Sequence, residues 1–279
     1  MSPLVTTEWL ADHIDDPDVR IADVRSAGSS LLNRAAFQAG HIARAVFFDM
    51  EEDLSAHPGP GRHPLPDARV FAELLGSRGI GNEHHVVVYD DAFGGAAGRL
   101  WWMLRELGHD SVALLDGGFN WWAYEGRPVT TDIVQLPPAQ FGADRWGTGA
   151  VDREGLADQL GDVILIDARA AERYRGEIEP LDPVAGHIPT AINAPYPSNL
   201  GADGRFLPPE DLAAAYRKLG VGKGEDVVVY CGSGVTACHT LVALEAAGIT
   251  GAKLYPGSWS DWGDSGLPIA TGPEPGTPQ

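Results

Sequence analysis

The chain contains the same sequence pattern twice. Four stretches of the first half return in the second half, in the same order and about 140 to 146 residues further on. The matched pairs are RIADVRSA (20–27) with LIDARAA (165–171), AGHIARAVFFDM (39–50) with AGHIPTAINAPY (185–196), FAELLGSRGIGNEHHVVVYD (71–90) with LAAAYRKLGVGKGEDVVVYC (212–231), and LLDGGFNWWAYEGRPV (114–129) with KLYPGSWSDWGDSGLPI (253–269). The repeat predicts two homologous domains, over residues 1–135 and 150–279, joined by a polar stretch that contains proline and glycine.

Short apolar runs alternate with helical stretches inside each repeat. The run VVVY (227–230) is rich in β-branched residues, which predicts a strand covered on both faces. The stretches 211–220 and 236–248 have helical composition, and each ends at a glycine, the usual residue after a helix. Strands that alternate with helices predict an α/β fold, with a mainly parallel sheet flanked by helices in each domain.

The charge of the chain limits its partners. It has 39 acidic and 20 basic residues, a formal net charge of -19. This field repels the phosphates of nucleic acids and anionic membrane surfaces, so we expect neither as a partner. A small anionic substrate would need cations placed locally. The sequence has no secretory signal pattern and no long apolar run, which predicts a cytoplasmic protein.

One of the two cysteines stands where a parallel sheet places its ligands. Cys231 directly follows the apolar run 227–230, and ligands of open parallel sheets bind beyond the carboxyl ends of strands. Gly232 and Gly234 allow backbone N–H groups to converge at the start of the next helix, an environment that binds anions and stabilises a thiolate. We therefore predict that Cys231 is a nucleophile. Cys238, inside the helix, is predicted to be structural.

The first repeat carries Asp90 at the position of Cys231. A carboxylate cannot perform the chemistry of a thiolate, so only the C-terminal domain is predicted to be catalytic. Two cysteines are too few for a disulfide framework or a cysteine-rich zinc site, and we expect no metal.

These features resemble those of tandem-domain sulfurtransferases of the rhodanese family, and the resemblance covers essentially the whole chain. It rests most specifically on CGSGVTAC (231–238), RYRGEIEP (173–180), AGHIPTAIN (185–193) and GSWSDW (257–262). The resemblance implies two rhodanese-like domains and transfer of a sulfane sulfur from 3-mercaptopyruvate or thiosulfate. The sulfur would pass through a cysteine persulfide to cyanide, a thiol or a thioredoxin-like reductant, without metal or organic cofactor.

The resemblance also implies roles for single residues. Cys231 matches the cysteine that forms the persulfide. Arg173 matches an arginine that faces the anionic end of the donor, and a guanidinium suits a carboxylate or thiosulfate. Arg175 is an alternative for this task or else a solvated surface residue. The cradle that holds the sulfur matches Gly232, Ser233, Gly234, Val235 and Thr236.

Two histidines lie in the repeated GHI motif. The family places the first, His41, near the cleft between the domains, in some members as a proton relay. A purely structural role, as a buried histidine hydrogen-bonded to backbone groups, is as good an interpretation as a functional role for both His41 and His187.

The sequence leaves two compounds possible as the sulfur donor. Gly232 and Ser233 stand where thiosulfate-type enzymes of the family carry basic residues, which favours 3-mercaptopyruvate. Enzymes of the mercaptopyruvate type usually have a second arginine before the second GHI motif, however, and this chain has Leu181 and Asp182 there. Thiosulfate therefore stays an alternative.

Other functions fit the sequence less well. A cysteine phosphatase needs an arginine to clamp phosphoryl oxygens at the position that Ala237 occupies. The glycine-rich stretch 220–226 precedes its strand, whereas a dinucleotide-binding loop follows one. A non-catalytic tandem scaffold is disfavoured by the intact cysteine loop, and a sulfur-relay binding module that uses the same persulfide stays open.

Overall fold

A computed structural model describes residues 2–26 and 29–278. The predicted domain ends at residues 1 and 279, and the end of the motif RIADVRSA at residue 27, lie outside the described residues. The chain divides into two compact units. The first comprises the chain up to Ala56, Leu65–Gly147 and Ala202–Phe206; the second comprises His57–Pro64, Thr148–Gly201 and the chain from Leu207 onward. The linear boundaries at 135 and 150 stay predictions, because each unit also takes in a short segment from elsewhere in the chain.

The first unit is built on a five-stranded parallel sheet. The unit as a whole contains seven strands within the described residues: β1 Leu4–Val5, β2 Val19–Asp23, β3 His41–Ile42, β4 Ala45–Phe47, β5 His85–Tyr89, β6 Val112–Leu115 and β7 Val129–Thr130. Its helices are α1 Thr7–His13, α2 Ser30–Ala39, α3 Ala68–Ser77, α4 Gly95–Glu106 and α5 Gly118–Tyr124. The strand order is β1-β6-β5-β2-β4, and β3 pairs with β7 in a separate antiparallel ladder.

The second unit is built on a four-stranded parallel sheet of order β11-β10-β8-β9. Its strands are β8 Ile164–Asp167, β9 Ile192–Asn193, β10 Val227–Tyr230 and β11 Lys253–Leu254. Its helices are α6 Arg153–Asp158, α7 Ala171–Tyr174, α8 Pro209–Lys218, α9 Thr236–Ala246 and α10 Ser258–Trp262, with 3₁₀ turns at Tyr196–Asn199 and Gly224–Asp226. All four residues of β10 are buried, as expected for a strand between two others that is covered on both faces.

Each unit buries an Asp–Arg ion pair at the equivalent position. Arg25 pairs with Asp23 at the end of β2, and Arg169 pairs with Asp167 at the end of β8, at 2.9 and 2.7 Å. Each arginine also donates to the glycine carbonyl of the nearby GHI motif, at 2.7 and 2.6 Å. The shared network, together with the parallel sheets flanked by helices, confirms the predicted fold of two homologous α/β domains.

Candidate active site

Cys231 lies at the carboxyl end of β10, as predicted. Its side chain is free of any disulfide and buried. Residues of α10 hold the backbone around it. The Cys231 N–H donates to Ser258 Oγ at 3.1 Å, and the Trp259 N–H donates to the Cys231 carbonyl at 3.0 Å. The Ser260 N–H donates to the Gly232 carbonyl at 2.9 Å, so the first two loop residues are fixed against α10.

The loop then turns sharply into α9. Gly234 has φ +73°, and a Cβ there would lie 2.4 Å from the Pro256 carbonyl oxygen, so only glycine fits. Ser233 is buried, whereas Val235 and Thr236 are half-buried at the start of the helix. The loop predicted from the sequence is therefore present, with the positive end of the helix dipole directly after it.

The equivalent loop of the first unit is filled by a carboxylate. Asp90 follows β5 and is buried. Its Oδ1 accepts from the N–H groups of Ala92 and Gly94 at 2.9 and 2.8 Å, and its Oδ2 accepts from Ala97 at 2.9 Å. Burial raises the pKa of Asp90, while these three donors favour the ionised form and oppose the rise. In this loop, three backbone N–H groups thus point at one carboxyl group, that of Asp90.

Arg173 lies in α7 beside the cysteine loop. A Cβ built on Gly232 would be 3.3 Å from its Nη1 and 3.5 Å from its Nη2. Glu179, which is 3% exposed, accepts from Arg173 Nε at 3.1 Å and from Nη2 at 2.6 Å. Burial opposes the ionisation of Glu179, but these hydrogen bonds and backbone donors hold its pKa below the ordinary value. The buried carboxylate therefore fixes the guanidinium of Arg173 beside Gly232.

A second guanidinium, which the sequence analysis missed, lies at the same place. Arg62 belongs to the segment His57–Pro64, which is part of the second unit. Its Nη2 is 2.9 Å from a Cβ built on Gly232. The segment lies outside the four matched pairs of the repeat, so no pattern in the sequence pointed to it.

Asp182 links the two arginines. It pairs with Arg62 Nη1 and lies 3.4 Å from Arg173 Nη2. Its side chain is 7% exposed, and burial raises its pKa above the ordinary value. This aspartate stands in the stretch where the family resemblance led us to expect an arginine.

Two other predicted residues are not part of this cluster. Arg175 forms a surface ion pair with Glu177, at 2.7 Å, which is the alternative interpretation given above. His41 is buried in the first unit, where Nδ1 lies 2.8 Å from the Phe37 carbonyl oxygen and Nε2 lies 3.3 Å from that of Asp132. These contacts favour a structural histidine.

His187 and Cys238 also have backbone partners. The ring nitrogens of His187 lie 2.8 and 3.1 Å from the carbonyl oxygens of Tyr174 and Glu274. Cys238 is buried in α9, and its Sγ donates to the Gly234 carbonyl at 3.3 Å. Both contacts are typical of structural residues.

Comparison with known proteins agrees with the duplicated fold. A family model described as a rhodanese-like domain matches residues 6–125 and again residues 153–265. The chain belongs to the rhodanese family.

Similar rhodanese-family proteins are named for sulfur transfer. A Pseudomonas aeruginosa protein, provisionally named a 3-mercaptopyruvate sulfurtransferase, is 45% identical over 278 residues, 96% of this chain and 98% of that protein. A Mycobacterium tuberculosis protein, provisionally named a thiosulfate sulfurtransferase, is 40% identical and covers 96% of this chain and 97% of its own length. The crystal structure of SseA from Escherichia coli, described as a 3-mercaptopyruvate sulfotransferase, superposes with a TM-score of 0.81 at 37% identity, over 93% of this chain and 100% of that one.

This rhodanese-family chain is therefore a sulfurtransferase, an enzyme that acts on small molecules. Within the described residues, no helix is both long enough and apolar enough to cross a bilayer.

Proposed function

We propose that the enzyme takes a sulfane sulfur from 3-mercaptopyruvate or thiosulfate onto Cys231 and passes it, as a persulfide, to a small acceptor. The observation that carries this proposal is the position of the free Cys231 in a loop whose counterpart binds a carboxylate through three backbone N–H groups. A loop of this shape suits the terminal sulfur anion of a persulfide. Ser233 and Val235 stand at the positions of Ala92 and Gly94, so their N–H groups would donate to it; the Cys238 N–H, at the position of Ala97, donates instead to the Val235 carbonyl at 3.0 Å.

The first half-reaction forms one sulfur–sulfur bond. The Cys231 thiolate attacks the transferable sulfur of the donor, and the bond that held this sulfur in the donor breaks. From 3-mercaptopyruvate the carbon–sulfur bond breaks, and the pyruvate enolate that leaves takes up the thiol proton of the donor. From thiosulfate the sulfur–sulfur bond breaks and sulfite leaves. Arg173 would bind the anionic end of either donor.

The second half-reaction restores the thiolate. Cyanide, a small thiolate or the thiolate of a thioredoxin-like reductant attacks the outer sulfur of the persulfide. The sulfur–sulfur bond breaks, and the electron pair returns to Cys231. The products are thiocyanate from cyanide and a new persulfide from a thiol, so no external oxidant or reductant enters the transfer itself.

The charges around the loop favour 3-mercaptopyruvate as the principal donor. The guanidinium groups of Arg62 and Arg173 lie against two carboxylates, Glu179 and Asp182, and Glu179 also pairs with Arg169, whose own partner is Asp167. Each negative charge that a donor adds beside these two carboxylates costs Coulomb energy, and a dianion such as thiosulfate costs more than a monoanionic carboxylate. Thiosulfate remains the second candidate. We place the enzyme in the cytoplasm, where a reducing environment keeps a nucleophilic thiol free.

The experiment that tests the proposal compares the two cysteines. We expect Cys231→Ser to lose all turnover of 3-mercaptopyruvate with cyanide, because the nucleophile is gone. Cys238→Ser, a matched change in the same loop–helix unit, is expected to keep most of its activity. Retained activity in folded Cys231→Ser would refute the persulfide mechanism. Loss of activity in folded Cys238→Ser would show that the proposal assigns the chemistry to the wrong sulfur.

A further inference from the structure

We infer that a cleft in the first unit binds a small carboxylic acid that carries an apolar chain or ring. The cleft has a volume of about 500 Å³, within the range of sites that bind small molecules. It is lined by residues of α2, of the edge strand β4, of the end of α3 and of the segment 133–138. All of these belong to the first unit, so binding there is independent of the chemistry proposed at Cys231.

Most of the residues that line the cleft are apolar. Phe37 and Phe47 are buried, and their ring centroids lie 5.3 Å apart. The segment 133–138 adds Leu136, which is half-buried, and Ile133, whose side chain is 60% exposed. A cleft with this lining is suited to a ligand with an apolar body, because burial of apolar surface on both partners drives binding.

The charged side chains of the cleft are all basic. Arg34 of α2 and Arg78 at the end of α3 line it, and no aspartate or glutamate of the described part of the chain does so. The chain as a whole has 39 acidic and 20 basic residues, so the cleft is opposite in sign to the rest of the protein. Charge complementarity therefore favours an anion, and a guanidinium is well suited to a carboxylate.

Arg34 can exchange its present partner for a ligand. Its guanidinium carbon lies 5.3 Å from the centroid of the Phe47 ring, against the apolar lining. It pairs with Glu52 at 3.3 Å, and the two side chains are 50% and 58% exposed. An ion pair in such contact with water contributes little to stability. A carboxylate held in the cleft is less screened by water and would be a stronger partner for Arg34.

Arg78 is fixed in place by groups of the protein. Its Nη1 donates to the Phe47 carbonyl, and its Nη2 donates to Asp53 Oδ1 at 2.7 Å. These contacts use two of the five N–H groups of a guanidinium, so others can donate to a ligand. Asp53 balances the charge of Arg78, however, and the net attraction for an anion therefore comes from Arg34.

Octanoate is the probe that tests the inference, because it joins a carboxylate to an apolar chain. Its binding to the whole protein is measured by calorimetry, beside acetate, which lacks the chain, and octylammonium, which has the opposite charge. We expect octanoate to bind at least about 10-fold more tightly than either. Absence of octanoate binding would overturn the inference, as would acetate or octylammonium binding as tightly as octanoate.

Two exposed residues of the cleft show where octanoate binds. Arg34→Ala is expected to weaken its binding about 10-fold, because a charged hydrogen-bonding partner is lost. Ile133→Asp is expected to weaken it by a similar factor or more, because an apolar contact is replaced by a charge of the same sign as the ligand.

Arg69→Ala and Val70→Asp are the matched controls, on α3 and outside the cleft. Arg69 is 70% exposed and pairs with Asp144 at 3.6 Å, and Val70 is 61% exposed, close to the value for Ile133. We expect both controls to bind octanoate as the wild type does. Circular dichroism verifies the fold of each variant, and Ile133→Ser replaces Ile133→Asp if the latter unfolds.

The four variants decide the outcome together. Weaker binding in the two cleft variants and unchanged binding in the two controls would uphold the inference. Wild-type affinity in the cleft variants would overturn it, and so would equal losses in cleft variants and controls.

Discussion

The first residue of the loop decides which chemistry each unit can perform. Cys231 and Asp90 occupy the same position after the same central strand, and both are buried. In the first unit the chain supplies its own acidic group to the N–H donors of the loop. A donor or persulfide cannot use a cradle that is already filled. Asp90 therefore explains in physical terms why we assign the chemistry to the second unit alone.

Asp90→Asn is predicted to destabilise the protein by about 1 to 3 kcal/mol, because an amide group must turn a donor toward at least one of three buried N–H groups. The shift is measured as a change in the free energy of unfolding in urea. Asp91→Asn is the matched control and should cost less, since no such set of N–H donors surrounds its side chain among the described contacts. Equal stability of Asp90→Asn and the wild type would contradict this account of the loop.

The sequence predicted the position of Cys231 at a strand end but not all of its surroundings. Cys231, its glycines and Arg173 stand in short motifs whose local geometry follows from strand ends and tight turns. Arg62 reaches the loop only through tertiary contacts of its segment, and no local propensity encodes these. Glu179 was also missed, although the alternation of arginine and glutamate in RYRGEIEP contained a hint of an ion-pair network.

At the scale of elements, α9 lies between two glycines with similar positive φ angles. Gly234 precedes the helix with φ +73°, and Gly248 follows it with φ +75°. A Cβ on Gly234 would clash with a backbone oxygen, whereas a Cβ on Gly248 meets no atom within 4 Å. The two positions therefore distinguish the cost of the left-handed conformation from the cost of close packing.

Gly248→Ala is predicted to destabilise the protein by about 1 to 2 kcal/mol, the cost of a left-handed alanine. Gly234→Ala should cost about 2 to 5 kcal/mol, because it adds a clash with the Pro256 carbonyl, and it should also slow turnover by shifting the cysteine loop. Thermal unfolding and steady-state rates measure both effects. Equal losses of stability in the two variants would show that the contact with Pro256 is unimportant.

Long elements were predicted better than short ones. The stretches 211–220 and 236–248 form helices at Pro209–Lys218 and Thr236–Ala246, since their composition and terminal glycines fix them locally. Two-residue strands such as β3, β7 and β9 were not predicted, because so few residues show no periodicity and depend on the strands beside them.

At the scale of the whole molecule, the two copies share their core and differ in the residue that follows the central strand, Asp90 in one and Cys231 in the other. Both units retain the buried Asp–Arg pair and a tyrosine that accepts from the isoleucine N–H of its GHI motif, Tyr89 in one and Tyr230 in the other. These groups hold the sheet ends in place in both copies. The sequence repeat predicted this duplication, whereas the assignment of His57–Pro64 to the second unit depends on contacts that no repeat encodes.

Buried histidines in both units predict how stability depends on pH. Burial is the main cause that lowers the pKa of His84, His109 and His187 below the ordinary value of 6.5. The unfolded chain then binds protons that the folded protein excludes, so this stability is complete above pH 6.5 and is lost as the pH falls toward the folded pKa values.

We expect the free energy of unfolding to fall between pH 7.5 and pH 6, with a slope of up to about 1.4 kcal/mol per pH unit for each histidine. His187→Gln should show a shallower slope than the wild type, because one of the three groups no longer titrates. Urea unfolding at a series of pH values measures both. A free energy that rises on acidification through this range would contradict the assignment, as would an unchanged slope in His187→Gln.

The central claim is that Cys231 carries the transferred sulfur, and intact-mass measurement tests it most directly. The folded protein is incubated briefly with 3-mercaptopyruvate, and separately with thiosulfate, without reductant. We predict a gain of one sulfur atom that maps to the peptide of Cys231, forms faster with 3-mercaptopyruvate and is absent in Cys231→Ser. No gain with either donor on protein with a free thiol, or a gain that maps to Cys238, would contradict the account.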